Sequence, residues 1–221
     1  MGDHQTRAFS KSEGDRYFER NRKAVFNVNS DPLVRLLGAA DLRPASIIEI
    51  GAARGDRLAG LARLYDCRAV AVDPSSAASE EGGRLHPWVD YRVGTMDALP
   101  VKEAFDLVLV NFVFHWVGRD DLLRSVAEVD RVVQENGHLA IGDFLPPGPV
   151  MTPYHHQEGL WTYKQDYSGI FLASGLYCLV ASLAGRYGGT VPSGAAAPNE
   201  RAGFSLLHKS VAGHYLAAPP P

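Results

Sequence analysis

Between Ser46 and Phe144, short β-branched runs alternate with amphipathic stretches, and this alternation leaves few folds open. Ser46–Ile50 (SIIEI) reads as a buried strand, because apolar residues fall on both of its faces. Arg68–Val72, Trp88–Val93, Phe105–Asn111 and His138–Ile141 read as four more, the last set up by Asn136-Gly137. Between them, Asp56–Tyr65 carries Leu58, Leu61, Leu64 and Tyr65 on one face. Asp121–Val133 carries Leu122, Leu123, Val126, Val129 and Val133 on another. Both predict helices. Strands alternating with helices imply an α/β fold, a doubly wound parallel sheet covered on both faces. Such sheets bind ligands at the carboxyl ends of their strands, which directs attention to the residues after Ile50, Val72, Val93, Asn111 and Ile141.

The flanks are less regular. Ser12–Arg22 is a charged run with Tyr17 and Phe18 embedded, read either as a short helix on the surface or as a lid. Pro32–Ala40 predicts a helix capped by Asp31, with Pro32 at its first position. The Ala, Ser and Gly stretch up to Arg84 predicts a weak helix and a loop. After Phe144, Pro146, Pro147, Pro149 and Pro153 predict a loop too stiff for regular structure. Then come a helix start at Ser168–Leu172, a strand at Tyr177–Leu183, a Gly/Pro/Ala loop at Gly188–Asn199 and a last strand at Phe204–Lys209. Ala217–Pro221 predicts a mobile tail.

Composition narrows the function classes. The chain has 221 residues, 46% of them hydrophobic and 21% charged, which excludes intrinsic disorder as the main state. A net charge of −3 supplies no basic field, so neither nucleic acid nor an acidic membrane is expected as a partner. Cys67 and Cys178 are too few for a disulfide framework and suit a reduced, cytoplasmic setting. Met1–Arg22 lacks the apolar core of a secretory signal, and the longest apolar run, Phe105–Val117, is interrupted by Asp106, Asn111 and His115. Self-association into a homo-oligomer stays open.

The first turn reads Glu49-Ile50-Gly51-Ala52-Ala53-Arg54-Gly55-Asp56, directly before a helix. A strand, glycine turn and helix present backbone N–H groups to a ligand. A dinucleotide site wants G-x-G-x-x-G, yet Ala53 and Asp56 stand where the second and third glycines belong. Asp73 ends the second strand, where a carboxylate can read a ribose hydroxyl pair; the alternative is a helix cap followed by Pro74. Asp97 follows the third strand beside Met96, either to hold a base or as an ordinary turn residue.

Together these features resemble the class I S-adenosylmethionine-dependent methyltransferases over Ser46–Asp143. The resemblance implies a Rossmann-like sheet of about seven strands, mostly parallel with the last antiparallel. It implies S-adenosylmethionine as cofactor, with Gly51, Ala52, Ala53 and Gly55 cradling the methionine part and Glu49 holding the turn or the amino group. It implies Asp73 and Pro74 at the ribose, Met96 and Asp97 at the adenine, and Asn111 and Phe112 at the sulfonium. Gly14–Asn21 is similar to the G-D-x-Y-x-x-R-N opening of methylases associated with pseudaminic acid biosynthesis, which adds Tyr17 and Arg20 to the cofactor contacts. Lys164–Gly169 is similar to that group's K-x-D-[YF]-x-G run. On this resemblance the chain is one methyltransferase domain: a helical lid (1–45), a cofactor half (46–143), a substrate half (144–212) and a tail (213–221). The acceptor is a small polar molecule, sugar-derived or a secondary metabolite, offering a hydroxyl or amine. A nicotinamide-dependent oxidoreductase on a related sheet is the enzymatic alternative, against which the glycine spacing argues. A non-catalytic cofactor-binding homologue is the other.

For a hydroxyl acceptor a general base helps, and His115, His155 and His156 are the candidates near the strand ends. His115 has the alternative of packing over the cofactor edge. Adjacent histidines on an extended chain point to opposite sides, so His155-His156 is not expected to hold a metal. Tyr154, Trp161, Tyr163, Lys164 and Asp166 are candidates for acceptor binding; core aromatics and an exposed Lys164–Asp166 ion pair are the alternatives.

Overall fold

The computed structural model describes residues 3–24, 26–28, 30–187, 200–211 and 213. The expected loop at Gly188–Asn199 and tail at Ala217–Pro221 lie outside them. In chain order the elements begin with α1 (Asp3–Ala8), a π-helical turn (Phe9–Glu13), α2 (Gly14–Asn21) and α3 (Pro32–Gly38). Then come β1 (Ser46–Ile50), α4 (Asp56–Tyr65), β2 (Arg68–Asp73), α5 (Ser76–Leu85), β3 (Asp90–Val93) and β4 (Phe105–Asn111). They are followed by α6 (Leu122–Val132), β5 (Val133–Phe144), β6 (Val150–Pro153), β7 (Trp161–Lys164), α7 (Ser168–Ala173), β8 (Tyr177–Arg186) and β9 (Arg201–Lys209).

Seven strands form one sheet in the order β3-β2-β1-β4-β5-β9-β8. β1 pairs in parallel with β2 and β4, and β9 runs antiparallel between β5 and β8. The order reverses between β1 and β4, the place where an open α/β sheet leaves a crevice at its strand ends. β1 shows why the central strands are apolar throughout. Ile48 and Ile50 face one core, shared with Val108, Val110, Val129 and Phe171. Ile47 faces the other, with Leu33, Leu37, Leu58 and Leu107.

Three segments depart from expectation. The proline-rich stretch is not wholly irregular: β6 pairs antiparallel with β7, Pro153 opposite Trp161 at the strand end. A terminal position on a two-stranded ribbon tolerates a missing N–H. The Ala/Ser/Gly stretch forms the full helix α5, capped by Ser75, whose Oγ accepts from the Ala78 N–H at 3.0 Å. Thus Ser75, not Asp73, caps this helix. Asp15 of α2 accepts from Ser75 Oγ at 2.7 Å and from Ala77 N at 3.2 Å, so a weak helix former is fixed by a tertiary contact. Gly82 is required there, because a Cβ would lie 2.4 Å from the Tyr91 ring. Finally, β5 extends to Phe144, which brings Asp143 beside the end of β4.

Asp31 caps α3 as expected, accepting from Val34 N at 3.0 Å. No helix among the described residues is long and apolar enough to cross a membrane.

Candidate active site

The turn after β1 alternates its backbone hand. Gly51, Ala53 and Gly55 have φ of +73°, +48° and +75°. A Cβ on Gly51 would lie 2.2 Å from Val113 Cγ2, so glycine is needed there for space as well as for conformation. Ala53 adopts the left-handed conformation despite its side chain, and its N–H donates to Asp73 Oδ2 at 2.7 Å. Tyr91 OH donates to Arg54 O at 2.8 Å and pins the turn from β3.

Beneath the turn sits a buried ion-pair group. Arg57 donates to Glu49 and to Asp31, the latter through two nitrogens at 2.9 and 3.0 Å. Burial opposes the Arg57 charge, but Glu49 and Asp31 outweigh it and raise its pKa further. Glu49 Oε2 is buried with no partner among the described residues. Glu49 does not line the crevice; it holds α4 under the turn.

A cavity of about 470 Å³ opens at the reversal point. Gly51, Ala52, Ala53 and Gly55 line it, as do Asp73, Pro74, Met96 and Asp97 from the ends of β2 and β3. Asn111 and Phe112 line it from β4, and Tyr17 covers it from α2. The sequence candidates from β1 to β4 other than Glu49 therefore meet on one cavity wall. Asp73 also accepts from Ser75 N at 2.9 Å. Burial, with a smaller push from Asp15, raises its pKa to about 6 against the pull of its two amide donors. Burial likewise raises the Tyr17 hydroxyl to about 12. Asn111 Oδ1 is buried and without a partner among the described residues.

Residues 48–141 match the methyltransferase domain family. The chain shares 32% identity over 98 residues with an uncharacterized methyltransferase of Schizosaccharomyces pombe, covering 44% of this chain and 38% of that one. It shares 29% over 112 residues with the ubiquinone/menaquinone biosynthesis C-methyltransferase UbiE of Rubrivivax gelatinosus, covering 50% and 43%. The chain thus spans less than half the length of these curated relatives. The fold superposes on Burkholderia thailandensis 1,6-didemethyltoxoflavin-N1-methyltransferase with a TM-score of 0.74 at 18% identity, covering 95% of this chain and 91% of that one. That structure holds 1,6-didemethyltoxoflavin and S-adenosylhomocysteine. The fold is the Rossmann-like methyltransferase fold.

Several candidates lie away from this cavity. Arg20 is bound to Glu13 and to the Tyr154 hydroxyl, and Tyr154 OH donates to Glu13 at 2.7 Å. These three tie the π-helical turn and α2 to the β6–β7 hairpin. His155 and His156 sit in the turn after β6 with ring centroids 4.0 Å apart. They do not splay apart, because the chain turns there instead of running extended. His115 is 4% exposed, with Nδ1 2.9 Å from Asp143 Oδ1 and its backbone N–H on Asp143 Oδ2 at 3.2 Å. None of the three histidines lines the cavity.

The acceptor candidates have local partners instead. The Gln5 side chain bonds both backbone groups of Trp161, N–H and C=O, at 3.2 and 2.8 Å. Arg119 lies 4.3 Å over the Tyr163 ring, and Lys164 Nζ 3.9 Å over Phe144. Asp166 lies past the end of β7, so it shares no strand face with Lys164; it accepts from Ser168 Oγ at 2.7 Å and Gly169 N at 3.0 Å, opening α7. A Cβ on Gly169 would lie 3.0 Å from that carboxylate. The K-Q-D-Y-S-G run is therefore accounted for by local structure. Sequence reasoning missed Phe9, Trp116 and Tyr187 on the cavity wall. Phe9 and Tyr187 carry no motif; Trp116 stood next to a histidine that drew the attention. Among the described residues no group of His, Cys, Asp and Glu is arranged to hold a metal.

Proposed function

We propose that the protein is an S-adenosylmethionine-dependent methyltransferase acting on a small polar acceptor through a hydroxyl or amine. The observation that carries this reading is the single cavity in which the Gly51–Gly55 turn, Asp73, Met96–Asp97 and Asn111 converge. The residues fit the cofactor. Gly51 and Gly55 give the turn the left-handed conformations that bring its backbone to the cavity wall, and Asp73 retains lone pairs for ribose hydroxyls beyond its two amide bonds. The site suits a small acceptor, since about 470 Å³ is shared by both ligands.

Bound S-adenosylmethionine would supply an electrophilic methyl, and the Gly51–Gly55 turn, Asp73, Met96 and Asp97 would hold it. The chain's own work is to hold and align. The turn amides and Asp73 fix the nucleoside end, and Asn111 orients groups at the end of β4. Phe9 and Tyr17, on the lid over residues 1–45, exclude water from the acceptor side. Such orientation is worth up to roughly 7–11 kcal/mol of barrier. His115, buried against Asp143, acts here as a brace for the β4–β5 ends.

Titration calorimetry with S-adenosylhomocysteine and with NAD and NADP tests the reading. Binding of S-adenosylhomocysteine with no heat from either dinucleotide is expected; dinucleotide binding alone would replace this function with the oxidoreductase one.

A further inference from the structure

The two halves of the cavity differ in charge. Its ionised wall residues, Arg22, Arg54, Asp56, Arg57, Asp73 and Asp97, come from the end of α2, the Gly turn, the start of α4, the end of β2 and the loop after β3. The wall beyond β4 carries rings instead. Phe112 and Trp116 follow β4, Tyr187 follows β8, and Phe9 and Tyr17 hang over them from the lid. The rings support one another: Phe112 and Tyr187 centroids are 4.9 Å apart, Trp116 and Phe9 5.4 Å, Trp116 and Tyr17 5.8 Å. Phe112 is held at φ +56°, a conformation a bulky side chain rarely adopts, and this sets its ring against Tyr187. Asn111 stands at the border of the two halves, with its Oδ1 buried over Gly142, where a Cβ would lie 2.2 Å from it.

We infer that the acceptor is a planar, uncharged heteroaromatic molecule with an N–H or O–H on its edge. This rests on the methyltransferase reading above and deepens it. A ring wall rewards a flat π-system with stacked and edge contacts. A cationic amine or a carboxylate would enter a region where the described wall residues include no ionised group to pair with, at a desolvation cost. A sugar would bring several hydroxyls to a wall offering few partners.

The test is titration calorimetry on protein saturated with S-adenosylhomocysteine. The probes are lumazine and 2-quinolone, both flat N–H heterocycles, against D-glucosamine. Both heterocycles are expected to bind at least tenfold tighter than the sugar. Tyr187→Ala, at a side chain 52% exposed and therefore tolerated by the fold, is expected to weaken lumazine about threefold to tenfold. The inference fails if neither heterocycle binds, if glucosamine binds as well as they do, or if Tyr187→Ala leaves lumazine affinity unchanged. In each of those outcomes, bound S-adenosylhomocysteine keeps the methyltransferase reading intact. If S-adenosylhomocysteine itself does not bind, both readings fall together.

Discussion

The β1–β3 side of the crevice and the β4–β8 side are built on opposite principles. On the first, polar groups are matched to one another at close range: Asp73 to two backbone amides, Arg57 to two carboxylates, Arg54 to Asp56 at 2.7 Å. On the second, rings lean on rings, and the buried polar pair His115–Asp143 stands behind the wall. The comparison teaches that the β1–β3 side is fixed by hydrogen-bond geometry, while the β4–β8 side is shaped by packing. Packing changes with substitution more freely than a satisfied polar network does.

Removing the Arg57 charge should produce the largest effect on the polar side. Arg57→Met leaves Glu49 and Asp31 buried without a cation, which should destabilise the chain by about 3–5 kcal/mol in urea denaturation. A loss under 1 kcal/mol would show that the polar side is not held this way. Next in size, Asp73→Ala should weaken S-adenosylhomocysteine binding at least about tenfold, because a charged double hydrogen bond is lost. Unchanged affinity would move the ribose elsewhere.

On the packed side, Asp143→Ala removes the acceptor of His115 N, His115 Nδ1 and Phe144 N–H. It should cost about 1–3 kcal/mol of stability while S-adenosylhomocysteine affinity is preserved. Loss of methyl transfer at full stability would instead return the His115 pair to the chemistry.

A pH series sharpens the contrast further. Asp73, buried, has its pKa raised to about 6 from the ordinary 3.8. The fold therefore binds a proton more readily than the unfolded chain. The cofactor-free protein gains stability from this group as pH falls from about 6 toward 4, and loses that gain as pH rises again. The ionised form is the one that accepts ribose hydroxyls, so S-adenosylhomocysteine affinity should fall between pH 7 and 5, and calorimetry at fixed ionic strength reads it. Affinity flat across that window would place the charge of Asp73 outside cofactor binding. The smallest effect is expected at Ala53, whose φ of +48° favours glycine: Ala53→Gly should change stability by less than about 1 kcal/mol, toward stabilisation in a thermal melt.

How far the sequence reached differs between the same two regions. Strands β1 and β4 were legible to the residue, since Ser46–Ile50 and Phe105–Asn111 are apolar runs bounded by breakers. The cavity residues on β1 to β4 were legible too, because each stands within five positions of the carboxyl end of its strand. Tyr154, Lys164 and Asp166 were not legible as structural residues. Their partners, Glu13, Phe144 and Gly169, include one that lies 141 positions away. The helix at Ser76–Leu85 was underrated for the same reason, as its stabilising carboxylate, Asp15, comes from another element.

The sequence by itself determined the strand–helix alternation and the polar residues at the strand ends, because hydrophobic period and chain order act over a few residues. Only the tertiary structure decided which histidine lies buried, which aromatic rings meet over β4 and β8, and which ions pair beneath the turn. Those outcomes depend on contacts between segments far apart in the chain, whose energies no local pattern records.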